Sequence, residues 1–168
     1  MRVDVAAISL GSNLGDRVAM IQAAIECLRS VPGLRVLAVS SLIHTEPVRV
    51  ECEVDPGGEY VNGAALIKTS RPPLEVLAEL HEIERRLGRN RLTQPHGEAR
   101  VIDLDLLVCG DQIICTPELR LPHPGLATRS FVLMPLAEIA PDLKVPGLNA
   151  TIAELLQRLN QASKGATS

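Results

Sequence analysis

The chain has 168 residues, of which 46% are apolar, 22% charged and 1% aromatic, and its formal net charge is −3. That length suits one globular domain with a core of its own. The near balance of charge argues against general nucleic-acid or anionic-membrane binding, either of which needs a basic surface. No run reaches the roughly 18 apolar residues of a spanning helix, and Met1-Arg2-Val3-Asp4 carries no signal-peptide pattern, so a cytoplasmic location is expected. Cys27, Cys52, Cys109 and Cys115 form no Cys-x-x-Cys pair and read as small buried apolar residues in a reducing compartment. With no Trp, one Tyr (Tyr60) and one Phe (Phe131), the core must be aliphatic, and the two lone aromatics need a reason to exist.

Taken in chain order, Val3 to Leu10 is rich in small and β-branched residues and reads as a first strand, broken by Gly11-Ser12-Asn13-Leu14-Gly15-Asp16. Val18, Ile21, Ile25 and Leu28 then recur at helical spacing until Pro32-Gly33. Leu34 to Ile43 is a second strand. The stretch from His44 to Glu59, with Pro47, Pro56 and Gly57-Gly58, reads as a long loop, and Tyr60 to Thr69 as a third strand. Pro72-Pro73 suits the first turn of a helix that runs through Val76, Leu80, Ile83 and Leu87 and stops at Gly88. A second loop, Arg89 to Ala99, leads into a fourth strand from Val101 to Val108. Gly110-Asp111 is a hairpin signal before a short strand near Ile113 and Ile114. A helical stretch over 129–140 is expected to break at Pro135. The capping box Thr151-Ile152-Ala153-Glu154 opens a last helix. Residues 1–162 are read as one domain and 163–168 as a frayed tail. The order β-α-β-β-α-β is that of an α+β ferredoxin-like plait, an antiparallel sheet with helices on one face, here with C-terminal helical and short-strand additions.

Asp103 and Asp105 lie two apart on the fourth strand and so project to one side, while Ile102, Leu104 and Leu106 point to the other. Two carboxylates that close repel unless a cation neutralises them. Magnesium fits, because it takes one or two carboxylates together with substrate phosphates. A solvated face of an edge strand would look the same. Arg89, Arg91 and Arg100 lie in or beside the preceding loop, and Arg120 and Arg129 flank His123, itself framed by Pro122 and Pro124. Singly, each arginine could balance a neighbouring acid. Together with the carboxylates they are the ingredients of phosphoryl transfer. The glycine-bounded turn after the first strand lacks the Lys-Ser or Lys-Thr of a phosphate loop and reads as a tight turn. Tyr60 and Phe131, with Asn62 on the same side of its strand as Tyr60, could sandwich a planar heterocycle and read its edge.

These residues resemble the 6-hydroxymethyl-7,8-dihydropterin pyrophosphokinases of folate biosynthesis. The resemblance rests on Leu10-Gly11-Ser12-Asn13-Leu14-Gly15, Thr45-Glu46-Pro47-Val48, Tyr60-Val61-Asn62, Gly88-Arg89-Asn90-Arg91, Arg100-Val101-Ile102-Asp103-Leu104-Asp105, Pro122-His123-Pro124 and Arg129 to Leu136, in the family's order. It implies transfer of the diphosphate of ATP to the pterin hydroxymethyl oxygen, with AMP leaving. Tyr60 and Phe131 would stack on the pterin, Asn62 would bond its edge, and Thr45 and Val48 would line the pocket. Asp103 and Asp105 would hold two magnesium ions. His81, Glu84, Leu106 and His123 would contact nucleotide, and Arg91, Arg100 and Arg129 the phosphates. Arg91 and Arg100 join Asp103 and Asp105 as the catalytic set. The partners implied are ATP and the pterin, with no nucleic acid and no membrane, and a monomer is expected. The family often has Arg-Trp-Gly-Pro-Arg before the acidic strand, where this chain has Gln94-Pro95-His96-Gly97-Glu98-Ala99-Arg100. A pterin- or nucleotide-binding plait without activity, and a different magnesium enzyme on the same fold, are the two competing readings. The aromatic pair with Asn62 speaks against the latter.

Overall fold

The computed structural model describes residues 3–46, 58–89 and 99–165. In chain order the elements are β1 (Asp4–Ser12), α1 (Arg17–Ser30), β2 (Leu34–Val39), β3 (Ile43–Thr45), β4 (Tyr60–Thr69), α2 (Pro73–Arg86) and β5 (Asp103–Cys109). There follow β6 (Ile114–Cys115), β7 (Arg120–Leu121), α3 (Ser130–Ile139), β8 (Lys144–Val145), β9 (Ala150–Thr151) and α4 (Ile152–Gly165). The main sheet has the order β2-β4-β1-β5, with β3 also paired to β4, and every pairing is antiparallel.

Alternation along β1 splits the core in two. Ala6, Ile8 and Leu10 meet Ile21, Ala24 and Leu28 of α1 and Val76, Leu80 and Ile83 of α2. This is the plait, with its two helices on one face. Ala7 points the opposite way, to a second cluster built with Val132, Leu133 and Leu136 of α3 and Ile152 and Leu155 of α4. The C-terminal additions therefore cover the other face of the sheet over part of its length. All the members named are aliphatic, as the composition requires.

The helices start where their residues allow. Asp16 accepts a hydrogen bond from the Ala19 N–H (3.1 Å) and caps α1. Pro73 opens α2, where its missing N–H would have no intrahelical partner anyway. Thr151 and Glu154 exchange side-chain-to-backbone bonds (2.8 and 3.3 Å), the capping box read from sequence.

Several boundaries differ from the sequence reading. The second strand is two, because at Ser40 the hydroxyl takes the Ala64 N–H (2.9 Å) while the Ser40 N–H takes the Ala64 carbonyl (2.9 Å), which ends the ladder. Pairing resumes as β3, so His44 and Thr45 lie on a strand and not in a loop. β1 runs on through Gly11 and Ser12, whereas β5 begins only at Asp103. Gly110-Asp111 does not return the chain onto β5; Gly110 instead donates to Val5 O (2.9 Å) and the short strand β6 pairs with β7. Pro135 does not break α3. The one bond it forfeits is outweighed by burial of Val132, Leu133 and Leu136 on both sides of it. Finally, α4 includes 163–165, which the sequence reading had assigned to a frayed tail.

Candidate active site

Three neighbouring strands set one row of residues side by side. Gly11 of β1 pairs with Asn62 of β4 and with Asp103 of β5. One step along, Ser9 pairs with Asp105. Since alternate residues share a face, Tyr60, Asn62, Ser9, Gly11, Asp103 and Asp105 all lie on the face that also carries α3 and α4. Strands about 4.8 Å apart place Asn62 and Asp103 roughly 10 Å from each other, with Gly11 between them. A Cβ on Gly11 would stand 3.3 Å from Asn62 Oδ1 and 3.9 Å from the Asp103 Cβ. Glycine thus keeps the floor between amide and carboxylate open.

At one end of this row Asn62 is buried, and its Nδ2 donates to Thr45 Oγ1 at 2.7 Å. Thr45 faces Tyr60 in the β3–β4 register. Neither aromatic belongs to the buried core: Tyr60 is half-buried, and Phe131, in the first turn of α3, packs against the margin of the second cluster. The Arg129 guanidinium lies 5.9 Å from the Phe131 ring centroid, in cation–π range. A Cβ on Gly125 would come within 2.7 Å of Arg129 Nε, so the loop after His123 closes on Arg129 because residue 125 has no side chain.

At the other end, Asp103 is held by Arg100 Nη1 (2.9 Å) and by Arg89 Nη1. The turn that looked like a phosphate loop clasps the approach to β5. Ser12 Oγ donates to Val101 O (2.6 Å), Asn13 N–H to Arg100 O (3.1 Å), and Arg100 N–H to Asn13 Oδ1 (2.8 Å). Ser12 and Asn13 therefore position the Arg100 backbone, a duty hidden in the sequence because it spans nearly the whole plait.

The sequence offers Arg89 as one of several basic residues and as part of the Gly88-Arg89-Asn90-Arg91 motif, without a role of its own. Its place follows from the end of α2. Gly88 takes a left-handed φ of +95°, its N–H bonds Arg85 O (3.1 Å), and the Arg89 N–H bonds Glu84 O (2.9 Å). This is the Schellman arrangement, which folds the residue after the glycine back over the third-last residue of the helix. Those two positions usually make an apolar contact. Here they make an ion pair, Arg89 Nη1 to Glu84 Oε1 at 2.7 Å. The signal was available in Glu84 and Gly88-Arg89, but only once the helix end was fixed.

The remaining expected residues fall as follows. Glu84, expected to contact nucleotide, is 1% exposed, and its carboxylate serves Arg89 and the Leu104 N–H (2.7 Å). The groups it is seen to touch are therefore protein groups, behind the carboxylate strand. Leu106 is 2% exposed with its side chain in the core, so only its backbone can meet a ligand. His81 lies three residues before Glu84 on the same helix. His123 donates its N–H to Leu107 O (2.8 Å) and accepts the Gly125 N–H on Nδ1 (3.0 Å), which leaves the ring proton on Nε2. Arg120 lies on β7 opposite Cys115. Val48, Arg91 and Gln94 to Glu98 lie outside the described residues. A groove between α3 and α4, lined by Ala137, Pro141, Leu156 and Lys164 among others, contains none of the expected site residues.

The donor set suits magnesium better than a structural metal. Among the described residues no three His, Cys, Asp or Glu side chains cluster into a cage. Two carboxylates on one strand, with arginines beside them, leave the other coordination positions to water and phosphate oxygens, as magnesium prefers.

A sequence model of the 7,8-dihydro-6-hydroxymethylpterin-pyrophosphokinase family matches residues 7–141. Among similar proteins, the 2-amino-4-hydroxy-6-hydroxymethyldihydropteridine pyrophosphokinase of Haemophilus influenzae is 38% identical over 151 residues, covering 90% of each chain. That of Pseudomonas aeruginosa is 38% identical over 141 residues, or 83% of this chain and 82% of the relative. The folic acid synthesis protein fol1 of Schizosaccharomyces pombe is 36% identical over 92% of this chain, but only 20% of its own length is matched. Among solved structures, the HPPK-DHPS of Plasmodium falciparum superposes with a TM-score of 0.77 at 17% identity, a likeness of fold. The match covers 98% of this chain and 45% of that one, so the chain spans just under half of those solved chains. By the extent of the family match and the identity to whole bacterial relatives, the chain belongs to the 7,8-dihydro-6-hydroxymethylpterin-pyrophosphokinase family.

Proposed function

We propose that this pyrophosphokinase of folate biosynthesis works at the Asn62–Gly11–Asp103 row, with the pterin at the Asn62 end and the phosphates of ATP at the Asp103 end. The hydroxymethyl oxygen of the dihydropterin gives up its proton to solvent and forms a bond to the β-phosphorus of ATP, the bond from that phosphorus to the α-phosphate oxygen breaks, and AMP leaves. The observation that carries the reading is the register itself, since it sets an amide suited to a heterocycle edge and a carboxylate pair suited to magnesium on one open floor.

In this reading Tyr60 and Phe131 stack on the pterin, Asn62 bonds its edge, and Thr45 and Val48 line the pocket. The Asn62–Thr45 bond fixes the amide, so that recognition is preorganised and not assembled on binding. Asp103 and Asp105 would hold two magnesium ions, which would supply neutralisation of the phosphate charge. Arg91, Arg100 and Arg129 contact phosphate oxygens. Leu106 offers its backbone to the nucleotide, and His81 and His123 their rings; His123 does so as an Nε2–H donor. Charge stabilisation and alignment dominate such a transfer, and the residues supply both.

The test is product analysis of ATP, 6-hydroxymethyl-7,8-dihydropterin and magnesium, resolving AMP from ADP. The expected result is one AMP per diphosphorylated pterin, with turnover reduced by at least about a thousandfold in Asp103→Ala and Asp105→Ala. ADP as the product would mean attack at the γ-phosphorus and overturn the reading. Unchanged turnover in either variant would remove the carboxylates from the mechanism.

A further inference from the structure

A cation ligand should not be neutralised by its own protein, yet Asp103 touches the guanidinium groups of Arg89 and Arg100. Arg100 is the one expected to turn to phosphate. Arg89 is 9% exposed and belongs to the protein interior. Its hold on Asp103 is unusual. One terminal nitrogen, Nη1, is shared among Asp103 Oδ1, Glu84 Oε1 (2.7 Å) and Ile102 O (3.2 Å), and the buried Nε has no partner. An arginine built to clamp a carboxylate uses two parallel N–H donors. This one meets Asp103 at a single point and divides that point with Glu84.

We infer that Glu84 is a positioning residue that sets the affinity of Asp103 for a divalent cation, by sharing the charge of Arg89 between two carboxylates. The inference rests on the reading of Asp103 and Asp105 as cation ligands. Three observations beyond that reading support it. Glu84 is 1% exposed, so its charge acts through the protein interior, where screening by solvent is weak. The Schellman turn brings the backbones of Glu84 and Arg89 together, and the Arg89 guanidinium bonds the buried Glu84 carboxylate at 2.7 Å, so the two side chains pair independently of Asp103. The same carboxylate also accepts the Leu104 N–H, the residue between the two aspartates, and so fixes the backbone from which both project. Among the described residues β5 is an edge strand of the sheet, and Glu84 and Arg89 between them occupy Leu104 N–H and Ile102 C=O. Glu84 thus closes the edge and balances the charge next to the ligand.

The test uses Mn2+ as the probe, bound to the folded full chain in the presence of a non-hydrolysable ATP analogue and read by electron paramagnetic resonance, with circular dichroism as the check on folding. Glu84→Gln keeps an acceptor for the Leu104 N–H and removes only the charge. Mn2+ affinity is expected to fall about tenfold in this variant, because Arg89 then acts undivided on Asp103. Arg89→Met should shift affinity the other way, tightening Mn2+ binding by a similar factor. The double variant E84Q/R89M, with both charges gone, should return to within about threefold of the parent. Loss of packing alone would weaken all three and give no recovery. Unchanged Mn2+ affinity in Glu84→Gln, or a double variant weaker than either single one, overturns the inference. Should Glu84→Gln fail to fold, Arg89→Met decides by its sign, and weakening there overturns the inference equally. If Asp103→Asn leaves Mn2+ affinity at the parent value, the cation-ligand reading itself falls, an outcome distinct from all of these.

Discussion

Gly11 and Asn62 carry the site at the scale of single residues, and they make different predictions. Asn62 is 4% exposed and its amide is fixed by Thr45, so Asn62→Ala removes the edge contact proposed for the pterin and strands the Thr45 hydroxyl. A loss of about 2 kcal/mol in pterin binding is expected, close to thirtyfold in KM, with the KM for ATP within about twofold. Steady-state kinetics with each substrate varied would check it. In Gly11→Ala the new methyl would press on Asn62 Oδ1 at 3.3 Å while the strand keeps its pairing. The KM for pterin should rise about three- to tenfold with the melting temperature lowered by no more than a few degrees. Equal damage to both substrates would place Gly11 in the frame and not between the two ends of the site. What was legible here was the period-two spacing that sends Tyr60 and Asn62, and Asp103 and Asp105, to common faces. What was not legible was which neighbour each residue would meet. Gly11 reads in the sequence as part of a turn, and only register shows that it separates Asn62 from Asp103.

At the scale of elements, the turn after α2 joins fold to chemistry. Gly88 has φ +95°, and a Cβ there would meet nothing within 4 Å, so the cost of Gly88→Ala is backbone strain without a clash. That cost is about 1–2 kcal/mol, or several degrees in melting temperature. A loss of turnover is expected with it, because Arg89, which holds Asp103, follows directly on this residue. Gly88→Asn, which tolerates the left-handed region better, should recover most of both. Thermal melts and activity measured on the same preparations would check this. By contrast, Thr151→Ala removes the cap of α4 at a cost of about 1 kcal/mol and should leave KM values unchanged. Helix ends were legible from local chemistry, as the Thr151 capping box and Pro73 show. Strand ends were not, because they depend on partners distant in sequence. Ser40 ends β2 through bonds with Ala64, and β3 exists only because β4 is long enough to receive it.

Across the whole molecule, the sequence made the plait legible but not the division of labour between the sheet's faces. Nothing local in α3 and α4 says that they will pack on the face from which Asn62 and Asp103 project. Carboxylates with partners in the folded chain respond to acid in a defined direction. Hydrogen bonds from the Ser41 side chain and N–H hold the Glu138 carboxyl of α3 below its ordinary value of 4.5, joining that helix to the β2–β3 break. His44 and Arg17 do the same for Glu59, joining α1 and β3 ahead of Tyr60. Arg85 first, then Arg86, pull Glu82 from 4.5 to about 2. A carboxyl lowered in the folded state contributes stability that is fully present above its unfolded value and is lost as pH falls through the folded one. The window for Glu82 therefore runs from pH 4.5 down to about 2, and the other two begin to lose their contribution at the same upper edge. Each pair is exposed and individually weak, so the effect should show as a difference between variants and not as a collapse. The melting temperature of Glu82→Gln should lie slightly below that of the parent from neutral pH down to about 4.5, and the gap should close on further acidification towards pH 2. A gap that widened in acid would mean that Glu82 is protonated more readily in the folded chain than in the unfolded one, contrary to the pull of its two arginines.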